Sequence, residues 1–343
     1  MTNHNKRLLW QIPFLILLIV GTVLIIRQQH NTPYQKCAGA IFGTTYHITY
    51  QYDDDLQPEL EAKMKEVDNA LSMFNKESII SRVNNNQPVA LNPMFVEVYQ
   101  QAQQISEDTD GAFDITVGPL VNAWGFGFKH EQMPDKHAVD SLMAIVGYQK
   151  IRCEKANGQW KIVKRDPRIT LDCSAIAKGY GVDVVARLLE EKGITNYMVE
   201  IGGEVVTHGI SEKRVPWKIG VTKPTDDPLQ EGNELQTVLN LTDKAMATSG
   251  NYRNFYYKGK RKYAHTIDPK TGHPVQHNIL SATVLTSHCM RADAYATAFM
   301  VMGFEGAKKV LERNPDLMAY IIYDDKGETK VWYSPSLKDK IAK

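Results

Sequence analysis

Residues 281–297, SATVLTSHCMRADAYAT, decide the fold of this chain. The first six residues read as a strand of apolar and β-branched side chains, and a helix follows. In that helix Asp293 and Thr297 are four residues apart, so both side chains lie on one face near the helix N-terminus. Their oxygens suit Mg²⁺ beside a phosphate, although an Asp at a helix start is usually a cap.

The remaining elements follow from periodicity and from turn residues. Apolar residues at spacings of three and four predict an amphipathic helix over 56–74, and Asn92-Pro93 predicts the start of a second. Further helices are predicted at 135–146, 175–192, 291–302 and 306–313. Strands are predicted at 44–50, 148–152, 160–163, 198–201, 204–207, 217–221, 237–241, 281–285, 318–323 and 330–333.

This order of elements predicts an α+β protein with mainly antiparallel sheets and packed helices. The hairpin at 148–163 turns through Asn157-Gly158, a strong signal for adjacent antiparallel strands. The chain has neither a G-x-G-x-x-G turn nor repeated strand–helix alternation. A dinucleotide-binding Rossmann domain is therefore not expected.

The composition is that of an ordinary globular protein. Of the 343 residues, 43% are hydrophobic and 23% are charged, with a formal net charge of +1. Without a basic surplus the chain is not expected to bind nucleic acid. The four cysteines form no C-x-x-C pair, so buried thiols are expected, with one extracytoplasmic disulfide as the alternative.

The N-terminus predicts a membrane anchor. Residues 8–26 are nearly all apolar, and about 20 such residues cross a bilayer as a helix. Residues 1–27 are therefore expected to form one transmembrane helix, residues 28–40 a polar linker, and residues 41–343 the folded domain. A cleaved signal peptide is the alternative, but no A-x-A-like site follows the apolar run.

Several sequence blocks precede the Asp293 helix in a specific order. They are 43–46 (GTTY), 109–121 (TDGAFDITVGPLV), 124–127 (WGFG), 171–180 (LDCSAIAKGY), 200–204 (EIGGE), 248–253 (TSGNYR) and 265–269 (HTIDP). Each block is weak alone, but the ordered set resembles the ApbE family of FAD:protein FMN transferases. The resemblance covers about residue 38 to the C-terminus and implies an ApbE-like domain.

FAD carries an anionic pyrophosphate and two planar rings, so its site needs N–H groups or cations together with apolar walls. Lys178 and Gly179 lie in the first turns of a predicted helix, where the helix dipole favours anions. Gly202 and Gly203 allow close approach of the backbone. The aromatic candidates for ring contacts, each with core packing as the alternative, are Phe42, Phe74, Phe113 and Tyr180.

The resemblance also implies particular site residues. The implied FAD contacts are Phe42, Phe74, Ala112, Phe113, Asp114, Asp172, Lys178 and Ile267. The implied Mg²⁺ positions are Ala175, through its carbonyl oxygen, with Asp293, Ala296 and Thr297. Many relatives have Met in place of Phe42, and some have Asp in place of Ala296. The alanine leaves a water or a backbone oxygen to replace that ligand.

His265 and Asp268 are the candidate catalytic residues. In the H-x-I-D-P context, His265 could orient or deprotonate an incoming hydroxyl, or hydrogen-bond the phosphate. Asp268 either supports the histidine or forms a turn, because I-D-P-x-T-G is also typical of a turn.

The predicted function is Mg²⁺-dependent transfer of the FMN moiety of FAD to a threonine hydroxyl of an acceptor flavoprotein, with release of AMP. The alternatives are an FAD pyrophosphatase and a non-catalytic FAD-binding protein. The resemblance implies acceptors in membrane redox complexes, such as sodium-pumping quinone reductase or Rnf-type complexes. The expected location is a bacterial cytoplasmic membrane, with the enzyme on its extracytoplasmic side. The residues before Cys37 do not fit a lipid-attachment site.

Overall fold

The computed structural model describes residues 3–127, 133–225, 234–251, 255–258 and 261–342. The helices are α1 (Asn3–Asn31), α2 (Gln57–Leu71), α3 (Ile79–Asn84), α4 (Pro93–Asp108), α5 (Gly118–Ala123), α6 (Lys136–Met143), α7 (Ala177–Glu191) and α8 (Cys289–Arg313). The strands are β1 (Tyr34–Ile41), β2 (Thr44–Gln51), β3 (Ile151–Ala156), β4 (Gln159–Lys164), β5 (Tyr197–Ile201), β6 (Glu204–His208), β7 (Trp217–Thr222), β8 (Leu235–Leu241), β9 (Lys244–Gly250), β10 (Phe255–Lys258), β11 (Arg261–Ala264), β12 (Ile279–Thr286), β13 (Met318–Asp325) and β14 (Glu328–Tyr333).

One sheet forms the centre of the domain, with the strand order β1-β2-β5-β6-β9-β12-β13-β14. Every neighbouring pair in it is antiparallel. In β12, Val284 lies opposite Ala247 of β9 on one side and opposite Ala319 of β13 on the other. The pairs β3–β4, β7–β8 and β10–β11 form separate hairpins. The predicted α+β class with mainly antiparallel sheets is therefore confirmed.

The central strands are buried on both faces. In β13, Ala319 and Ile321 belong to the core that contains α8, whereas Tyr320 and Ile322 belong to a core shared with the β7–β8 hairpin. Strand β12 is buried along nearly its whole length. A strand between two packed layers needs apolar side chains on both sides, which the sequence of β12 supplies.

Helices α7 and α8 pack against each other and against the sheet. Gly179 of α7 lies at a close approach, because a Cβ there would be 2.4 Å from the carbonyl oxygen of Cys289. The carboxylate of Asp183 accepts hydrogen bonds from the N–H groups of Cys289 (2.7 Å) and Met290 (2.8 Å). Helix α8 has no side-chain cap at its own N-cap residue. Asp183 therefore satisfies donors at the start of α8 from the neighbouring helix.

Local turn chemistry explains two details of the fold. The helices predicted at 291–302 and 306–313 are the two parts of α8, which is interrupted at Gly303, where φ is 73° and the backbone is not helical. The β3–β4 hairpin is confirmed. Asn157 and Gly158 form its turn with φ of 51° and 81°, as a turn matched to the strand twist requires.

The N-terminal segment differs from the prediction. Helix α1 continues to Asn31 and strand β1 begins at Tyr34, so residues 28–40 are not a linker. The helix ends where it does because Pro33 disfavours helical backbone at the residue before it. Among the described residues, no helix combines the length and the apolar character needed to cross a membrane. The transmembrane helix predicted for residues 1–27 is therefore not supported.

The cysteines are all free thiols. Cys37, Cys173 and Cys289 are buried, and Cys153 is partly buried. Burial raises the pKa of each of these thiols and is the largest cause of the rise. The expectation of structural thiols is therefore confirmed, and the alternative of a disulfide is wrong for this structure.

Candidate active site

A cavity of ≈ 340 Å³ lies among segments that are far apart in the sequence. Its walls come from the loop before α5, the start of α7, the β5–β6 turn, the end of β9, the loop after β11 and one face of α8. Most of the predicted site residues meet here. Those that line the cavity are Ala112, Phe113, Asp114, Asp172, Ala175, Lys178, His265, Ile267, Asp293 and Thr297.

The start of α7 lines this cavity. The N-cap residue Ile176 makes no side-chain capping bond. The carboxylate of Asp172 accepts a hydrogen bond from the N–H of Ser174 (2.8 Å) and shapes the turn that leads into the helix. Ala175 and Lys178 lie in the cavity lining. A phosphate in the cavity would therefore meet both the positive end of a helix dipole and an ammonium group.

Lys178 lies close to two buried carboxylates. Its ammonium donates a hydrogen bond to Oε1 of Glu204 at 2.9 Å. Burial disfavours the ammonium, but the charges of Asp293 and Glu204 outweigh burial and hold the pKa of Lys178 above its ordinary value. Burial raises the pKa of Glu204 to about 7 and also raises the pKa of Asp293. Burial thus disfavours the charge on both carboxyl groups, and the ammonium of Lys178 favours it.

Asp293 and Thr297 lie one turn apart on α8, and both line the cavity. Asp293 is 5% exposed, and its Oδ2 accepts a hydrogen bond from the N–H of Gly179 at 3.1 Å. Ala296 is 1% exposed and packs in the core, so its predicted place at the cation is not supported through its side chain. Among the described residues, no group of three or more His, Cys, Asp or Glu side chains is arranged to hold a metal.

The loop before α5 is held by Asp114. Its carboxylate accepts hydrogen bonds from the N–H (2.8 Å) and the hydroxyl (2.7 Å) of Thr116 and from the N–H of Tyr148 (2.7 Å). Burial raises the pKa of Asp114, although these hydrogen bonds act in the opposite direction. The carboxylate therefore supports the loop that places Ala112 and Phe113 in the cavity wall.

The loop after β11 separates the two predicted catalytic residues. His265 and Ile267 line the cavity, whereas Asp268 does not. The carboxylate of Asp268 accepts a hydrogen bond from the N–H of Lys270 (2.9 Å), and its carbonyl accepts one from the N–H of Gly272 (2.8 Å). Asp268 therefore forms the turn, which was the alternative for this residue, and its position does not support a catalytic role.

Two predicted ring contacts lie outside the cavity lining. Phe42 packs against α7, where a Cβ at Gly181 would lie 2.5 Å from its ring. Phe74 is 80% exposed, because α2 ends at Leu71 before the predicted periodicity reaches it. Core packing was the alternative for Phe42, and the structure shows that packing.

The sequence analysis assigned no function to several polar residues that line the cavity. They are Glu204, Thr248, Ser249 and Thr266. Glu204 is 3% exposed and begins strand β6, in which the next three residues, Val205, Val206 and Thr207, are also buried. A carboxylate in a buried strand is unusual unless it is paired. A lone Glu at the start of a predicted strand was therefore the sequence feature that could have identified Glu204. Its partner, Lys178, could not be identified from spacing.

The protein is of the α+β class, and its cavity lies between a helix N-terminus and an apolar wall. A match to the ApbE family covers residues 42–322. The chain belongs to the ApbE family.

Similar proteins cover nearly all of the chain. An FAD:protein FMN transferase of Vibrio cholerae serotype O1 is 37% identical over 339 residues, which are 96% of this chain and 97% of that protein. One from Escherichia coli K12 is 34% identical over 319 residues, 90% of each chain. The solved structure of flavin transferase ApbE from Vibrio cholerae has a TM-score of 0.79 at 36% identity and covers 90% of this chain and 100% of that one. The predictions of ApbE membership and of an enzyme are confirmed.

Proposed function

We propose that this protein transfers the FMN moiety of FAD to a threonine hydroxyl of an acceptor flavoprotein, in a Mg²⁺-dependent reaction that releases AMP. The proposal rests on one observation: the ammonium of Lys178, the N-terminus of α7 and the carboxylate of Asp293 share one cavity. Such a cavity suits a pyrophosphate together with a cation. The similar proteins from Vibrio cholerae and Escherichia coli are FAD:protein FMN transferases, which supports the same reaction here.

The donor set of the cavity fits a divalent cation. Lys178 is the cation beside the carboxylates of Glu204 and Asp293, and Oε2 of Glu204 is buried without a hydrogen-bond partner among the described residues. Asp293, the hydroxyl of Thr297 and the carbonyl of Ala175 would hold Mg²⁺, which prefers oxygen ligands. Bound there, Mg²⁺ would neutralise the pyrophosphate and stabilise departing AMP.

The chain's own residues would bind and orient FAD. Lys178 and the first turn of α7 would hold the pyrophosphate through charge and main-chain N–H groups. Ala112, Phe113 and Ile267 would form an apolar wall for a ring system. The loop that carries Ala112 and Phe113 is prearranged by Asp114, so little ordering is needed when the ligand binds.

The transfer breaks the phosphoanhydride bond of FAD and forms a phosphoester bond to the acceptor. The acceptor hydroxyl oxygen bonds to the phosphorus on the FMN side of FAD, and the bond from that phosphorus to the bridging oxygen breaks, so AMP leaves with the bridging oxygen. His265 lines the same cavity and would take the proton from the attacking hydroxyl. Lys178 would offset the negative charge that develops on the departing phosphate.

Intact-mass measurement of an acceptor tests this function. The protein is incubated with FAD, Mg²⁺ and a candidate flavoprotein subunit, and free AMP is measured in parallel. An acceptor that gains one FMN group, with an equal amount of AMP, supports transfer. FMN and AMP formed without an acceptor would identify a pyrophosphatase, and bound FAD without AMP would identify a carrier.

We also propose that the acceptors are flavin-bearing subunits of membrane redox complexes, of the sodium-pumping quinone reductase or Rnf type, and that the enzyme works on the extracytoplasmic side. Family membership supports the acceptor class. Exposed apolar side chains of α1, such as Phe14 and Leu17, support membrane attachment. Cell fractionation with protease protection tests the location, and flotation with lipid vesicles, with and without residues 1–31, tests the attachment.

A further inference from the structure

Glu204 carries a buried carboxylate that is only half satisfied. It is 3% exposed, and Oε1 accepts a hydrogen bond from the ammonium of Lys178 at 2.9 Å. Oε2 is equally buried but has no partner within the described part of the chain. Buried carboxylate oxygens are normally paired, because each one gives up hydration when it is buried. A residue kept in this arrangement needs a reason beyond packing.

Lys178 has a second carboxylate within its electrostatic reach. Asp293 lines the same cavity as Lys178 and accepts a hydrogen bond from the N–H of Gly179, the next residue, and its charge raises the pKa of Lys178. Within the described residues, however, the ion pair of Lys178 is made with Glu204. Asp293 is held instead by the N–H of Gly179. The ammonium thus bonds to the carboxylate on β6, and the carboxylate on α8 bonds to the main chain next to Lys178.

Lys178 passes close to the turn that leads to Glu204. A Cβ at Gly202, in the β5–β6 turn, would be 3.4 Å from Cδ of Lys178. The Lys178 side chain is 30% exposed, whereas that of Glu204 is 4% exposed. Because a lysine stem is flexible, its ammonium can reorient, and within the described residues Glu204 is its ion-pair partner.

We infer that Glu204 is a positioning residue that holds the Lys178 ammonium away from Asp293 and so keeps the Asp293 carboxylate open to a divalent cation. The inference rests on the proposed Mg²⁺-dependent function. Opposite charges attract strongly in a poorly hydrated cavity, so an unpaired Lys178 would turn to Asp293. The cation would then meet a neutralised carboxylate and a competing positive charge.

Glu204→Gln tests this arrangement, because it removes the charge and nearly preserves the shape. A crystal structure of the variant should show the Lys178 ammonium at hydrogen-bond distance from Asp293. Calorimetric titration should show Mg²⁺ binding about 10- to 100-fold weaker, the usual effect of losing a residue that supports a metal ligand. An unmoved Lys178, or unchanged Mg²⁺ affinity, would overturn the inference. If this variant does not fold, Glu204→Asp keeps the charge but shortens its reach, and should weaken Mg²⁺ binding in the same direction.

A double-mutant cycle separates positioning from direct ligation. In a Lys178→Met background there is no ammonium to restrain, so Glu204→Gln should weaken Mg²⁺ binding little further. Equal weakening in both backgrounds would show that Glu204 contacts the cation itself and would overturn the positioning role. Glu97→Gln is the matched control. Glu97 pairs with Arg187, which lies on α7 as Lys178 does, but Glu97 does not line the cavity. It should leave Mg²⁺ affinity unchanged.

The two proposals can fail separately. If the unaltered protein transfers no FMN in the presence of Mg²⁺, the proposed function is wrong. The position of Lys178 in the crystal structure of Glu204→Gln still decides the inference, because that readout needs neither FAD nor Mg²⁺. If transfer occurs but Lys178 stays in place in the variant, the inference is wrong and the function stands.

Discussion

The main-chain N–H of Gly179 donates a hydrogen bond to Oδ2 of Asp293 at 3.1 Å. This bond joins the start of α7, which carries Lys178, to the face of α8 that carries Asp293 and Thr297. Because Gly179 has no Cβ, the two helices approach closely enough for both sets of side chains to reach one cavity. This contact therefore sets the distance between the start of α7 and the face of α8 that carries Asp293.

Gly179→Ala should destabilise the folded protein by roughly 1–3 kcal/mol, the usual cost of forcing extra volume into a packed contact. The new methyl group would lie 2.4 Å from the carbonyl oxygen of Cys289. Urea unfolding measures the loss. Gly21→Ala, also within a helix, is the matched control, because nothing lies within 4 Å of a Cβ there. Equal stability of Gly179→Ala and the unaltered protein would contradict the close approach.

Asp293→Asn should reduce FMN transfer by at least about 100-fold, because it removes the carboxylate charge expected to hold Mg²⁺. The fold should persist, since the amide oxygen can still accept the Gly179 hydrogen bond. Burial raises the pKa of Asp293, so loss of its charge should leave the free energy of unfolding unchanged or higher. Single-turnover transfer and urea unfolding measure the two effects. Asp316→Asn, at a half-exposed pair with Arg291, is the control and should transfer normally.

His265→Ala should slow flavin transfer far more than it weakens FAD binding. General acid–base assistance is typically worth ~10²–10⁴-fold, whereas one lost neutral hydrogen bond costs about 0.5–1.5 kcal/mol. Single-turnover rates at saturating FAD and an equilibrium FAD titration separate the two quantities. His47→Ala, at an exposed pair with Glu200, should change neither. A large loss of FAD affinity with an unchanged rate would make His265 a binding residue instead.

Asp183→Asn should flatten the dependence of stability on pH. Burial raises the pKa of Asp183 to about 7 from 3.8, although hydrogen bonds from Met290 and Cys289 and the charge of Arg187 oppose the shift and the charge of Glu97 adds to it. The folded state therefore keeps a proton that the unfolded state releases. The resulting stability is fully present below about pH 4 and is lost as the pH rises through about 7.

The size of that effect follows from the shift. At 1.36 kcal/mol per pKa unit, the rise from 3.8 to about 7 corresponds to a loss of about 4 kcal/mol in the free energy of unfolding between about pH 4 and about pH 7. Urea titrations at about pH 4 and about pH 8 measure the difference in unfolding free energy. The unaltered protein should lose more stability over that interval than Asp183→Asn. The same slope in both proteins would contradict the assignment to Asp183.

A chain that begins at Thr32 should fold and bind FAD, whereas one that begins at Gly43 should be unstable. Strand β1 pairs with β2 along its whole length, and Cys37 is 7% exposed in the core. The carbonyl of Thr32 accepts a hydrogen bond from the side chain of Gln51 at 2.9 Å, so the longer chain keeps that contact. Thermal unfolding of the two chains tests this. Equal melting temperatures would show that β1 is dispensable.

Periodicity and turn residues predicted most of the fold. The Asn157-Gly158 hairpin and the strand before α8 are local features, set by alternation and by residues that tolerate positive φ. Helix α1 and strand β1 were misjudged because polar residues from 28 onward looked like a linker. Pairing with β2 overrides that local polarity, since a strand gains hydrogen bonds only from a partner that composition does not reveal.

The site was predicted where its residues share one element. Asp293 and Thr297 reach the same cavity because a spacing of four on one helix guarantees a common face. Phe42 and Phe74 were assigned by resemblance and Asp268 from its sequence context, and the structure places them at a core contact, on the surface and in a turn. Their orientation depends on where helices and turns end, which a motif does not specify.

The sequence by itself determined most of the helices and strands and the common face of Asp293 and Thr297, because each depends on spacing along one segment. Only the tertiary structure decided which charges meet. Lys178 pairs with Glu204, 26 residues away, and Gly179 bonds to Asp293, 114 residues away. Those contacts depend on the packing of α7 against α8 and the sheet, and local periodicity carries no information about which distant residues will be brought together.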